Sequence, residues 1–131
     1  MAADPVAVVR GAFDTLSRDG VEALLDLVHD DALITVPAEF SAEPDTYRGP
    51  DGVRRYFASF YEVMDKIDVV LVDPEPAGPD GVVSALELTV RGRATGLEAV
   101  QHAYMRCRLR GGKLDRMSFH GTRDQALAAS Y

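Results

Sequence analysis

The spacing of apolar residues changes period near residue 65, and that change constrains the fold more than any single motif. Before it, apolar side chains recur every third or fourth position: Val6, Val9, Phe13 and Leu16, then Val21, Leu24, Leu25 and Val28, then Val53, Tyr56, Phe57, Phe60 and Met64. That spacing predicts three amphipathic helices. One strand-like run, Ala32 to Pro37, interrupts them and stops at its proline. After the change, Lys66–Asp73, Val82–Arg93, Leu97–Arg110 and Lys113–Gly121 read as strands, with clear alternation at Leu86, Leu88 and Val90. Helices first and strands later predict an α+β domain, a curved antiparallel sheet wrapped around three N-terminal helices. Such a sheet makes a cone, and the inside of a cone is a natural pocket.

Local signals mark the element ends. Asp4 and Pro5 form a helix start, with Arg10 and Asp14 paired one turn apart, and Ser17–Gly20 ends that helix. His29–Asp31 reads as a polar turn, and the segment from Ala38 to Pro50 as a loop. The run "GPDG" at Gly49–Gly52 turns the chain into the third helix from Asp51. It lacks the Lys-Ser/Thr end and the glycine spacing of a phosphate loop. Gly111-Gly112 predicts a two-residue hairpin turn. Thr122 and Gln125 are spaced as a capping box for a short C-terminal helix. No repeat or linker divides the chain, so residues 1–131 are expected to form one domain.

Composition narrows the function classes. The chain is 47% hydrophobic and 27% charged, enough to bury a core. A net charge of −7 argues against nucleic acid as a partner. The basic residues cluster late, at Arg91, Arg93, Arg106, Arg108, Arg110, Lys113 and Arg116, against Glu98 and Asp115. A lone cysteine, Cys107, fits a reducing compartment. The first residues lack the pattern of a secretory leader, and no run of about 18 apolar residues suggests a membrane span. A soluble cytoplasmic protein is expected.

The stretches "VRGAFDTLSRDGVEALLDLVHDDALITVP", "YRGPDGVRRYF" and "RGRATG…YMRCRLRGGKLDRMSFHGTRDQALAA" carry a resemblance that covers almost the whole chain. Together and in this order they resemble the SnoaL-like polyketide cyclase group, within the nuclear transport factor 2-like superfamily that also contains ketosteroid isomerase. The resemblance implies a cystatin-like cone, commonly a homodimer through the outer sheet face, with a pocket for a small apolar molecule. It does not fix a reaction, because this fold hosts several chemistries and non-catalytic modules. An isomerase of this kind uses a carboxylate base on the first strand and acid donors on the first helix and the long strand. Those positions fall here at Val36, near Ala12 or Phe13, and at Met105, so isomerase activity is not carried over.

Alternation assigns the pocket walls. Ala103, Met105, Cys107 and Leu109 share one face of the long strand; His102, Tyr104, Arg106, Arg108 and Arg110 share the other. The expected ligand-binding residues are Phe13, Val36, Tyr56, Phe60, Leu88, Met105, Met117 and Phe119. Three ionisable groups are weak catalytic candidates. Glu39 is either a base leaning into the pocket or a solvated loop acid. Tyr56 is either a hydrogen-bond donor to a ligand oxygen or a core tyrosine with a surface hydroxyl. His120 is either an acid–base group or a surface histidine, and alternation points it away from Phe119. Cys107 reads as a buried, inert thiol. His29, His102 and His120 are too scattered for a metal, and no cofactor is expected. The arginine stripe reads as a dimer face balanced by Glu87 and Glu98, or less simply as an anion site. The expectation is a small apolar-ligand-binding protein. The alternative is an isomerase, cyclase or hydrolase acting on a cyclic apolar, polyketide- or steroid-like substrate.

Overall fold

The computed structural model describes residues 4–36 and 45–129. The elements run α1 (Pro5–Asp19), α2 (Val21–Leu25), β1 (Val28–Val36), β2 (Asp45–Arg48), α3 (Gly49–Val63), β3 (Met64–Pro76), β4 (Gly81–Gly92), β5 (Glu98–Arg110), β6 (Lys113–His120) and α4 (Arg123–Ala128). The strands form one sheet in the order β2-β1-β6-β5-β4-β3. Every pairing is antiparallel except β1 with β6, which is parallel.

The predicted end signals act as expected. Asp4 caps α1 by accepting from the Val6 N–H at 3.1 Å, with Pro5 at the first helical position. Gly111 and Gly112 both take positive φ, 58° and 77°, so the β5–β6 hairpin turns in two residues. Thr122 accepts from the Gln125 N–H at 3.2 Å, and the Gln125 side chain accepts in return from the Gly121 N–H.

Some boundaries differ. Val28 starts β1 rather than ending the second helix, because it pairs with Leu114 across the parallel joint. β1 therefore absorbs the expected polar turn at His29–Asp31. Part of the expected loop forms β2, where Tyr47 pairs with Ile34 and is fully buried. α3 begins at Gly49, two residues before the expected start. Pro37 and the loop acid Glu39 lie outside the described residues.

The sheet separates two chemistries by parity. Leu71, Leu86 and Ala103 stand in register on one face; Val70, Glu87 and His102 stand in register on the other. The inner face joins α1 and α2 in a core containing Val9, Ala12, Leu16, Leu24, Val82, Met105, Cys107 and Met117. On the outer face α4 packs against β4, β5 and β6. Arg106 clamps α4 by donating to the Ala126 and Leu127 carbonyls at 3.2 and 2.8 Å.

The arginine stripe is balanced by Asp115 rather than by the expected Glu87 and Glu98. Register slips between Arg108 and Leu109, leaving Asp115 as an inserted residue between Leu114 and Arg116. Its carboxylate, 1% exposed, receives Arg108 at 2.7 Å, Arg110 at 3.2 Å and Arg116 at 3.3 Å. Glu98 pairs with Lys66 at 3.0 Å instead, and Glu87 stands opposite His102. Burial pushes the Asp115 pKa up, but the hydrogen bond from Arg108 and the charges of Arg116 and Arg110 outweigh it. The carboxyl is held below its usual range.

The start of α3 sets where that helix lies. Gly49 has φ +63°, and a β-carbon there would sit 2.5 Å from the Asp30 carbonyl oxygen. A β-carbon on Gly52 would sit 2.9 Å from the Tyr47 backbone. These glycines let the first turn of α3 lie directly on β1 and β2.

Two expected outcomes follow from these contacts. Gly49→Ala combines left-handed strain with a backbone clash and lowers stability by about 3 kcal/mol in chemical denaturation. A loss under about 0.5 kcal/mol, the range of an ordinary surface substitution, contradicts the close approach. Asp115→Asn lowers stability at pH 7 by about 2 kcal/mol. Because the folded-state pKa is depressed, the carboxylate's contribution is complete above the unfolded pKa of about 3.9. It disappears as pH falls through the lower folded value, so the gap between variant and parent narrows below about pH 4. A gap that does not change with pH contradicts this role.

Candidate functional site

Inside the cone lies an apolar cavity of about 70 Å³. Each element supplies its wall through its own periodicity. α1 contributes Phe13 and Leu16, one turn apart; α3 contributes Tyr56, Phe57 and Phe60. The strands contribute inner-face residues at every second position: Ile67 and Val69 on β3, Leu86 and Leu88 on β4, Gln101 and Ala103 on β5. Val36 at the end of β1 and Phe119 on β6 complete the described lining. Leu86, Val36 and Ala103 are buried at the floor, whereas Gln101 is exposed at the mouth.

No Asp, Glu, His, Lys or Arg lines this cavity among the described residues. The polar atoms on the wall belong to Tyr56 and Gln101. Burial raises the Tyr56 pKa, helped by neighbouring Tyr47, so the phenol stays protonated at neutral pH and can donate a hydrogen bond. Its ring packs edge-on against Tyr47 and Phe57, with both centroids at 5.3 Å. Arg55 lies 4.4 Å over the Tyr47 ring on the far side of this cluster.

At about 70 Å³ the cavity is smaller than the roughly 150 Å³ that accepts a benzene. Aromatic side chains occupy much of the cone. The way α3 is held says where space can open. Its buried residues are Gly49, Gly52 and Val53, all in the first half; Tyr56, Phe57 and Phe60, farther along, are only partly buried. The first turn of α3 is packed closely on the sheet, while the rings α3 adds to the cavity wall are only partly covered.

Six of the residues expected to bind ligand line the cavity together: Phe13, Val36, Tyr56, Phe60, Leu88 and Phe119. Met105 and Met117 point to the same side of the sheet but lie deeper, in the core cluster. Parity assigns a face and says nothing about depth. Sequence reasoning passed over Gln101, whose signal was available: it is two residues before Ala103 on the same strand and therefore on the same face.

The remaining candidates stand elsewhere. His120 is paired in register with Tyr104 on the outer face, 2.8 Å from the Ser118 hydroxyl. Burial lowers its pKa, and so does the nearby charge of Arg106. Glu39 lies outside the described residues. Cys107 is fully buried; burial, with a contribution from Asp115, pushes its thiol up to about 12, which suits an inert thiol. His29 accepts from the Asp31 N–H and touches Arg110. Among the described residues no group of three or more His, Cys, Asp or Glu side chains could hold a metal ion. Among them, too, no helix is long and apolar enough to cross a membrane. A wider groove of about 580 Å³ runs between the start of α1 and the β5–β6 hairpin, but its walls include Asp80 and two of the three arginines that hold Asp115, Arg108 and Arg110.

A search of the curated proteins gives no sequence match. Solved structures of the same shape are numerous. TerC, co-crystallised with polyporic acid, superposes with a TM-score of 0.77 at 18% identity, covering 90% of this chain and 91% of that one. A protein from Mycobacterium tuberculosis in complex with estradiol-17beta-hemisuccinate gives 0.76 at 16% identity, covering 93% and 97%. A putative SnoaL-like polyketide cyclase from Jannaschia sp. CCS1 gives 0.71 at 15% identity, covering 97% and 93%. At these identities the likeness establishes the fold alone. The SnoaL-like domain description matches residues 9–117 directly, most of the chain, and with the cone and its inner cavity in place the chain belongs to the SnoaL-like domain family.

Proposed function

We propose that this chain binds a small apolar molecule inside the cone, on a wall whose described residues supply no acid–base machinery. The observation that carries this is the wall itself: five aromatic rings and a set of aliphatic side chains converge on one cavity, with no charged side chain among the described lining residues. An isomerase, cyclase or hydrolase needs a proton acceptor at the reacting atom. Among the described lining residues Tyr56 alone titrates, and its raised pKa makes it a donor rather than a base. TerC and the mycobacterial protein, which share the fold, were solved with polyporic acid and with estradiol-17beta-hemisuccinate. Occupancy of this chain's cone requires the partly buried rings of Phe57 and Phe60 to turn outward and enlarge the cavity.

We further propose a cytoplasmic homodimer joined through the outer sheet face. α4 already covers part of that face. Exposed Val70, Val72 and Val100, at 56%, 38% and 54%, mark the part it leaves open. The lone Cys107, a buried thiol, suits a reducing compartment.

Titration with the neutral, environment-sensitive dye Nile red tests cavity binding. The parent chain is expected to bind it saturably, and Leu88→Trp, which fills the mouth, to weaken binding at least tenfold while the folding transition stays cooperative. Undiminished binding by Leu88→Trp places the dye elsewhere and contradicts the proposal.

A further inference from the structure

The inner face of β5 carries Gln101, Ala103, Met105, Cys107 and Leu109, and Gln101 is the one residue of that row with a full hydrogen-bonding group. Its amide makes no hydrogen bond to any described residue, and neither does the Tyr56 hydroxyl. Ser84, the other polar side chain on the inner face of this strand pair, is satisfied by the Val72 and Ala85 carbonyls at 3.3 and 2.8 Å. The cavity therefore presents two uncommitted neutral polar groups on a wall that is otherwise carbon. They are not equally placed. Gln101 is exposed at the mouth, opposite Leu88 in the β4–β5 register, while the floor beyond it at Ala103 and Leu86 is 2% and 1% exposed.

We infer that the molecule held in the cone is an uncharged, ring-bearing compound with an oxygen function at one end, and that Gln101 at the mouth selects it by hydrogen bonding that oxygen. This rests on ligand binding inside the cone. An ionised ligand would lose its hydration in a cavity whose described wall offers no counter-charge, a cost that hydrogen bonds to neutral groups do not offset. A pure hydrocarbon would enter but would gain nothing from the exposed Gln101 amide, which would keep water as its partner. A hydroxyl or carbonyl satisfies both conditions, because an amide side chain donates and accepts. The aromatic wall favours a flat ring at the apolar end. The polar end sits beside Gln101, and the ring lies inward against Ala103 and Leu86.

Three probes of one shape test this at pH 7.5: naphthalene, 2-naphthol and 2-naphthoate, each titrated calorimetrically or by its own fluorescence. The parent chain is expected to bind 2-naphthol at least tenfold more tightly than either of the others. Gln101→Leu should lower 2-naphthol affinity at least fivefold and leave naphthalene unchanged or tighter. Gln101→Asn, which keeps the amide on a shorter arm, should retain part of the preference, a readout that a merely structural role would not move. Binding of 2-naphthoate as tight as that of 2-naphthol overturns the inference. So does an unchanged preference in Gln101→Leu while Leu88→Trp abolishes all binding; in that case the cone still binds ligand and only the role of Gln101 falls. If none of the three binds the parent chain, the cone is not a ligand site for such molecules and both proposals fall.

Discussion

The contact on which the cavity depends is the approach of α3 to β1 and β2 at two positions that cannot carry a β-carbon. Gly49 places the helix against the Asp30 carbonyl and Gly52 places it against Tyr47. From there the helical period alone brings Tyr56, Phe57 and Phe60 over the open end of the sheet. Without that close first turn the rings would stand farther off and the cone would open to solvent. In the second half of α3 the rings of Tyr56, Phe57 and Phe60, only partly buried, form one wall of the cavity.

The sheet supplies the other constraint. Its parity keeps the inner face mostly carbon and sends the charged side chains outside from β3 to β6, and the two sides solve different problems. Inside, apolar burial drives folding. Outside, several arginines stand close together, and the bulge at Asp115 places one buried carboxylate among three of them. An alternating strand without that insertion would have aimed the residue after Leu114 at the opposite face from the residue after it. The bulge lets Asp115 and Arg116 share the outer side, and so turns a repulsive stripe into a network.

Much of this was legible in the sequence because it is local. The period change, the Asp4–Pro5 start, the double-glycine hairpin and the Thr122–Gln125 cap each depend on a few neighbouring residues, and each appears where expected. What was not legible depends on distant partners. β2 is four residues long and has Tyr47 as its one large apolar side chain, so it exists as a strand only because Ile34 is there to pair with it. The parallel joint of β1 with β6 joins residues more than eighty positions apart. Depth was hidden for a similar reason: alternation placed Met105 and Met117 on the inner face, but only the folded structure shows that they belong to the core and do not line the cavity. Gln101 was missed by stopping the inner-face row at Ala103, one step short, because the apolar pattern ends there and the cavity wall does not.

The most direct measurement is the position of a bound probe relative to the protein's methyl groups, by intermolecular nuclear Overhauser effects in a sample saturated with 2-naphthol. Binding inside the cone predicts contacts from the ring to the methyls of Leu86, Leu88 and Ala103, which face the cavity from adjoining strands. Contacts confined to Val70, Val72 and Val100 on the outer face, or no contacts to the inner methyls at saturation, would contradict a ligand site inside the cone.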